Sequence, residues 1–176
     1  MKKSMYRVND TVLYGAQGVC RITEISEKNL CGQSLEYYVL KPIDDERATI
    51  FVPVNNELAS SNMRPVMSAE QIRALIETIP DADSIWIEEE LVRRSRYQEI
   101  LTRGDRAELI RLIKTLSLHQ QTQKDKGRDL HIADKHFLKE AEKILHGEFA
   151  HVLNMKREQV VPFILEQIQI EERGRI

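Results

Sequence analysis

The segment 68–80, SAEQIRALIETIP, decides the fold, because the sequence changes from a strand pattern to a helix pattern at its first residue. Ser68 is a residue type that favours the N-cap of a helix. Pro80 ends the pattern, as proline commonly does at a helix terminus. Four apolar residues between them recur at the i, i+3, i+4, i+7 spacing of one helix face. They are Ile72, Leu75, Ile76 and Ile79.

Before Ser68, the chain is rich in Val, Ile, Thr and Tyr, which are typical of β-strands. Glycines and a DDER run separate the stretches, as turn residues do between strands. Five short strands in about 60 residues predict a small, strongly bent sheet or barrel. The stretches are DTVLYG, GVCRITEISE, LEYYVLKPI, ATIFVPV and NMRPV.

After Pro80, helical patterns dominate. We predict a second helix from about Ser84 to Thr102 that stops at Gly104, and a third that begins after Asp105. The polar stretch 119–130, HQQTQKDKGRDL, is typical of a mobile loop. Two further helices are predicted at roughly 132–153 and 159–172. The expected fold class is therefore α+β in two domains, with a bent β-sheet domain at 1–66 and an all-α domain at 67–176.

The composition favours a cytoplasmic protein that does not cross a membrane. Its apolar runs are far shorter than a bilayer span, and no signal peptide is visible. Cys20 and Cys31 could pair, but two cysteines do not indicate a disulfide framework, so a reduced chain is the simpler interpretation. Residues 93–143 carry 13 Lys/Arg against eight Asp/Glu, whereas 81–90 carry five acids and no base. The basic segment is either a footprint for a polyanion or a solvated helical surface.

Motifs of catalysis and metal binding are missing from the sequence. No phosphate-binding glycine loop and no C-x-x-C pair are present. His146 and His151 are five residues apart, so on a helix their rings would diverge by about 140°. We therefore expect no enzyme activity, no cofactor, no metal and no small-molecule substrate. A small enzyme that uses the histidines around 119–136 stays as an alternative.

One polar face of the fourth predicted helix is made of lysines. Lys135, Lys139 and Lys143 lie within an arc of about 80°, opposite an apolar face that includes Phe137 and Leu145. Such a stripe predicts either contacts with a polyanion or the ordinary solvated face of an amphipathic helix.

Taken together, several stretches resemble one known family in their order and spacing. They are VNDTVLYGAQGVCRITEI, LEYYVLKP, TIFVPVNN, the lone tryptophan, LTRGDRAELIRLIKTL and DKHFLKEAEKILHGEFAHVL. Over roughly residues 6–155 the chain resembles the CarD/CdnL family of bacterial transcription regulators. The resemblance implies a Tudor-like (SH3-like) domain that docks on the RNA polymerase β subunit. It also implies a helical domain that contacts promoter DNA, without reading sequence, near the upstream edge of the transcription bubble.

The same resemblance implies the residues that contact polymerase. The strand that matches RATIFVPV would lend its edge to the partner, as sheets do when they recruit an extended segment. Phe51 departs from a position that can be arginine in the family, and by strand alternation it faces either the core or the interface. The predicted polymerase contacts are Lys28, Arg47, Thr49, Ile50, Phe51 and Val52.

Trp86, the only tryptophan, matches a residue that the family uses as a wedge at the junction of duplex and melted DNA. The alternative is that Trp86 packs on Tyr97 along one helical stripe and stays inside. The chain also departs from the family here, because Glu88, Glu89 and Glu90 follow where relatives commonly have arginine, and three glutamates would repel phosphates. The predicted DNA contacts are Trp86, Arg93, Arg94, Arg96, Lys135, Lys139 and Lys143.

The expected function is thus that of a non-catalytic transcription regulator, which binds polymerase and stabilises the open promoter complex. The alternative is an adaptor that binds polymerase and never touches DNA, which the glutamates after Trp86 favour.

Overall fold

The computed structural model describes residues 5–30 and 32–174, which exclude Cys31. The chain divides into two compact units, Met1–Val66 and Met67–Ile176. An antiparallel five-stranded sheet is followed by helices, which confirms the predicted α+β class. No helix among the described residues is long and apolar enough to span a bilayer.

The first unit is a meander with one short helix. The elements are β1 Thr11–Tyr14, a 3-10 turn Gly15–Gln17, β2 Val19–Leu30, β3 Gln33–Pro42, β4 Ile50–Pro53, α1 Glu57–Ser60 and β5 Met63–Pro65. The strand order is β4-β3-β2-β1-β5, and each neighbouring pair is antiparallel, so β4 and β5 are the edges. The hairpin of β2 and β3 turns at Gly32, whose φ of 81° suits a residue without a Cβ.

A β-bulge bends this sheet. The register between β2 and β3 shifts between Ile22 and Glu24, and an extra residue at such a point increases the local twist. The bent sheet closes over an apolar core in which burial of alternate side chains supplies most of the stabilisation. The buried core residues are Val12, Cys20, Ile22, Tyr38, Leu40, Val52 and Met63.

The second unit is made of helices whose termini follow the sequence signals. Ser68 forms a capping box with Gln71, and Asp105 accepts a hydrogen bond from the backbone N–H of Glu108. Gly104 ends a helix in the left-handed conformation, with φ of 64°. The helices are α2 Ala69–Glu77, α3 Glu90–Arg103, α4 Arg106–Asp125, α5 Ile132–Val152, a 3-10 turn Arg157–Gln159 and α6 Val160–Gly174.

Two sequence-based predictions about these helices are wrong. The helix predicted from Ser84 begins only at Glu90, so Trp86 lies on a non-helical segment that precedes α3. The polar stretch 119–130 is a loop only after Asp125, where α4 ends and the chain turns at Gly127. At Trp86 contacts with distant residues outweigh local sequence preference, whereas the Gln and Lys residues of the polar stretch favour helix themselves.

The helical core lies between α2, α4, α5 and α6. At the edge of this core, the buried carboxylate of Glu148 accepts hydrogen bonds from the guanidinium of Arg106 and from the backbone N–H of Met67. Because Met67 is the first residue of the unit, the second bond holds the start of the unit in place. The side chain of Glu148 is 0% exposed, so its charge is compensated by these donors. The buried core residues are Ile72, Ile76, Ile110, Leu145, Phe149 and Val160.

Candidate functional site

Strand β4 presents one open edge. Among the described residues it pairs only with β3, in a register that places Phe51 opposite Val39. The backbone N–H of Val54 donates to the carbonyl of Glu36, which marks a hydrogen-bonded pair of the ladder. Antiparallel pairs alternate between bonded and non-bonded, so Phe51 directs its N–H and C=O away from β3. An incoming strand therefore meets backbone groups that are oriented for pairing.

Phe51 lies on the outer face of the sheet. Its side chain is 44% exposed, whereas Val52 is 0% exposed, and this decides the alternation that the sequence left open. The ammonium of Lys28 lies 3.5 Å from the centroid of the Phe51 ring, a cation–π contact. Phe51 and Lys28 thus form a small exposed surface, the Phe51 patch, next to the open edge of β4.

The other residues predicted for polymerase contact are placed differently. Arg47 and Thr49 are exposed in the segment before β4. Ile50 is partly buried and packs against the core, and the side chain of Val52 belongs to that core. Strand alternation turns the side chain of Val52 inward, so the predicted polymerase contact of Val52 does not involve that side chain.

The residues around Trp86 form a segment without regular secondary structure, here called the Trp86 segment (residues 84–88), that is hydrogen-bonded to α3 and α4. The N–H of Ile85 donates to Thr115 Oγ1 at 3.0 Å, and the hydroxyl of Tyr97 donates to the carbonyl of Ile85 at 3.3 Å. Burial raises the pKa of Tyr97 to about 12, so the phenol stays a neutral donor. These hydrogen bonds satisfy backbone polar groups of the segment, which would have paired with one another if the segment were helical.

Trp86 itself is partly buried and is not enclosed in the core. Its indole stacks on the imidazole of His119, with ring centroids 3.8 Å apart and planes inclined by 20°. The indole N–H donates to Glu88 Oε1 at 3.0 Å. The Cζ atom of Arg93 lies 4.4 Å from the centroid of the indole. The ring is therefore held by three side chains while part of it stays accessible.

Arg93 is buried and extensively hydrogen-bonded, and its position corrects its predicted role. It is 4% exposed, and its guanidinium forms two 3.1 Å hydrogen bonds with the carboxylate of Asp134. The same group donates to the carbonyls of Ile87 and Glu88. A guanidinium that is buried and bonded in this way is not presented to phosphates. Arg93 instead fixes the Trp86 segment to the first turn of α5.

The next two arginines are paired with acids on the surface. Arg94 forms an ion pair with Glu90, and Arg96 bonds both Glu99 and Glu108. The hydrogen bond from Arg96 lowers the pKa of Glu99, and the charge of Arg103 lowers it further. Because these acids partly neutralise them, Arg94 and Arg96 attract a polyanion less strongly than their number in the sequence indicates.

Two members of the lysine stripe on α5 are more available than the third. Lys139 and Lys143 are exposed. Lys135 forms an ion pair with Asp129, and this hydrogen bond lowers the pKa of Asp129. Lys139 and Lys143 are one helical turn apart, so both ammonium groups can reach one side of a bound polyanion.

Two site residues escaped the sequence interpretation. His119 stands three residues after Leu116 and therefore continues the buried stripe of α4, a signal that the predicted loop concealed. Asp134 is a fully buried acid in the first turn of α5, where a negative charge is favourable. Within the described ranges, no group of three or more His, Cys, Asp or Glu side chains could hold a metal ion.

Comparison with known proteins finds a family model that matches the first unit. Residues 6–67 match the family model of the CarD-like/TRCF RID domain, which is a protein-interaction domain. A search of the curated proteins finds no match. The family match supports a transcription-related role that involves interaction with RNA polymerase. Residues 6–67 are thus similar to the CarD-like RNA polymerase-interacting family.

Proposed function

We propose that this protein is a non-catalytic transcription regulator with two contacts. The β-sheet unit binds the β subunit of RNA polymerase, and the helical unit lies against promoter DNA at the upstream edge of the bubble. Such a regulator acts in the cytoplasm, on the nucleoid with polymerase. The observation that carries the proposal is the match of residues 6–67 to a polymerase-interacting domain.

The polymerase contact uses the open edge of β4. Backbone pairing supplies affinity without regard to sequence, and side chains next to the edge supply specificity. The outward N–H and C=O of Phe51 would accept the partner strand, and the exposed ring would bury its area against it. Lys28, Arg47 and Thr49 surround the contact, with Ile50 and Val52 supporting it from the core side.

The DNA contact uses the accessible part of Trp86 together with the lysine stripe. An apolar ring can fill the gap at a partly unstacked base step, where distortion costs a few kcal/mol. Lys139 and Lys143 provide charge to phosphates and carry no sequence information. Lys135, Arg94 and Arg96 contribute only when a phosphate displaces their acidic partners.

The effect on transcription follows from a difference in affinity. A protein that bound closed and open promoters equally would shift nothing, whereas each 1.4 kcal/mol of preference for the open form shifts the equilibrium about tenfold. Trp86 supplies this preference, because only the melted junction offers a gap for the ring. Polymerase binding raises the local concentration of the helical unit at the promoter, so weak DNA affinity suffices.

The contact with RNA polymerase is tested by a pull-down. Purified RNA polymerase β subunit should be retained by the immobilised full-length protein and released by an excess of free protein. Val8 is as exposed as Phe51, at 44%, but precedes β1, which makes Val8→Ala a matched control for Phe51→Ala. Retention that is lost with Phe51→Ala and kept with Val8→Ala supports the edge contact; no retention of the β subunit by the wild type contradicts the proposal.

A second candidate function is a polymerase-binding adaptor that makes no DNA contact. It is favoured by the ion pairs of Arg93, Arg94 and Arg96, which reduce the charge available to phosphates. Glu88, which bonds the indole, adds a negative charge beside Trp86. Footprinting of a promoter–polymerase complex separates the two functions. Added protection at the upstream edge of the bubble indicates the regulator, and an unchanged footprint with bound protein indicates the adaptor.

A further inference from the structure

The stack between Trp86 and His119 joins two parts of the helical unit that are far apart in sequence. Trp86 lies on a segment without regular secondary structure, whereas His119 lies well inside α4. The ring centroids are 3.8 Å apart and the planes are nearly parallel, at 20°. The Nε2 atom of His119 lies 3.3 Å from Nε2 of Gln123, one helical turn later. The imidazole is thus supported by its own helix and in turn supports the indole.

The backbone contacts alone do not orient the indole. The N–H of Ile85 donates to Thr115, and Tyr97 and Arg93 donate to main-chain carbonyls, so these bonds hold the main chain of residues 85, 87 and 88. The orientation of the ring depends on side chains, and among these His119 offers a parallel flat surface. Side chains that are ordered only on binding reduce affinity, whereas a ring that is already ordered avoids that cost.

We propose that His119 is a positioning residue for Trp86, which holds the indole by stacking in the orientation that it uses against melted DNA. This inference rests on the proposed function, since the orientation has a use only if Trp86 contacts the junction. His119 acts through Trp86 and need not touch DNA itself. Aromatic pairs of this kind contribute enough that loss of the stack should change binding about two- to tenfold.

Intrinsic fluorescence tests the holding of the ring directly, because Trp86 is the only tryptophan. In the full-length protein, His119→Ala should increase quenching by acrylamide, whereas His119→Phe, which keeps a flat ring, should stay near the wild type. His151→Ala is the matched control, since it removes an exposed histidine from the last turn of α5. Alanine favours helix, so α4 is expected to persist. Quenching that is equal in the wild type and His119→Ala overturns the inference.

Open-complex lifetime tests the use of the orientation. With polymerase and promoter, His119→Ala should shorten the lifetime about two- to tenfold, and His119→Phe should restore most of it. In a Trp86→Ala background, His119→Ala should have no further effect, because coupled residues do not add. A merely structural role of His119 would shorten the lifetime in both backgrounds and overturns the inference.

The remaining outcomes separate this inference from the proposed function. If Trp86→Ala shortens the lifetime and His119→Ala does not, the inference fails and the proposed function stands. If His119→Ala lengthens the lifetime, the imidazole masks the ring, and the inference is overturned. If Trp86→Ala itself leaves the lifetime unchanged, the proposed DNA contact fails and the inference fails with it.

Discussion

The Phe51 patch and the Trp86 segment each place an aromatic ring beside a cation, but they hold that cation differently. Lys28 lies 3.5 Å from the Phe51 centroid at the end of a flexible, exposed side chain. Arg93 lies 4.4 Å from the Trp86 centroid, is 4% exposed, and is bonded to the buried Asp134. A partner can displace Lys28 at little cost, whereas Arg93 cannot leave without breaking a buried ion pair.

The difference indicates two modes of recognition. The Phe51 patch can adapt, because a strand that pairs with β4 brings its own side chains and the lysine can move aside. The Trp86 segment is fixed before binding, since its backbone is bonded to Thr115, Tyr97 and Arg93. A preformed ring suits a contact that must distinguish melted from paired DNA, where the preference is lost if the ring adapts to both.

The largest effect is expected on removing the buried carboxylate of Asp134, which holds Arg93 beside the Trp86 segment. Asp134→Asn leaves the guanidinium of Arg93 without a counter-charge, and removal of one partner of a buried ion pair costs about 3–5 kcal/mol. The free energy of unfolding should fall by this order in urea, measured by circular dichroism at the helix signal.

Asp129→Asn is the control, since it breaks the exposed ion pair with Lys135 and should change the free energy of unfolding very little. A decrease below about 1 kcal/mol in Asp134→Asn would show that Arg93 is not held by this carboxylate, and the contrast between the two sites would disappear.

The second-largest effect is expected at the Phe51 patch, on affinity for the β subunit. Phe51→Ala removes the exposed ring and leaves the core intact, so folding should be unchanged. Affinity for the β subunit should fall about five- to thirtyfold, as when a central interface residue is truncated. Surface plasmon resonance with the full-length protein measures this. An affinity equal to that of Val8→Ala would mean that the partner does not cover Phe51.

A smaller effect is expected at the lysine stripe, where it tests whether the proposed DNA contact is electrostatic. Lys139→Glu/Lys143→Glu should weaken promoter association and reduce the slope of log K against log[salt] by about 0.9 for each phosphate that is no longer neutralised. Arg73→Glu/Arg111→Glu makes the same change in net charge at exposed sites on α2 and α4. Equal slopes for the two variants would show that the lysine stripe is only a solvated face.

The smallest effect is expected at Lys28. Lys28→Met keeps an unbranched side chain over Phe51 and removes the charge, and an exposed cation–π contact contributes about 0.5–1 kcal/mol. Because a partner strand displaces Lys28 from Phe51, removing this contact spares that cost, so affinity for the β subunit should rise about two- to fivefold in the same binding assay. A decrease as large as that of Phe51→Ala would show that the ammonium itself binds a partner acid, and that the patch is less adaptable than the comparison implies.

The sequence predicted those features that depend on neighbouring residues. Ser68, Gly104 and Asp105 mark helix ends by their local chemistry, and the structure confirms all three. The conformation of Trp86 could not be predicted this way, because it depends on Thr115 and Tyr97, which are 29 and 11 residues away along the chain.

Arg93 shows the same limit of prediction from neighbouring residues. Arg93 lies one turn before the buried Tyr97 on α3, so its position on the buried stripe was visible in the sequence, but its partner Asp134 was not. A basic run therefore predicts charge, whereas only the fold tells which cations are already neutralised. Here that distinction moves the expected phosphate contacts from α3 to Lys139 and Lys143.

The central claim is that Trp86 stabilises melted promoter DNA while the β-sheet unit holds polymerase. The most direct measurement is the lifetime of the open complex after challenge with a competitor, compared between the wild type and Trp86→Ala at concentrations that saturate polymerase. We expect a lifetime about tenfold shorter in the variant, with equal binding to the β subunit, since stacking of an aromatic ring on a base is worth on the order of 1–3 kcal/mol. Equal lifetimes at equal polymerase occupancy would contradict the claim.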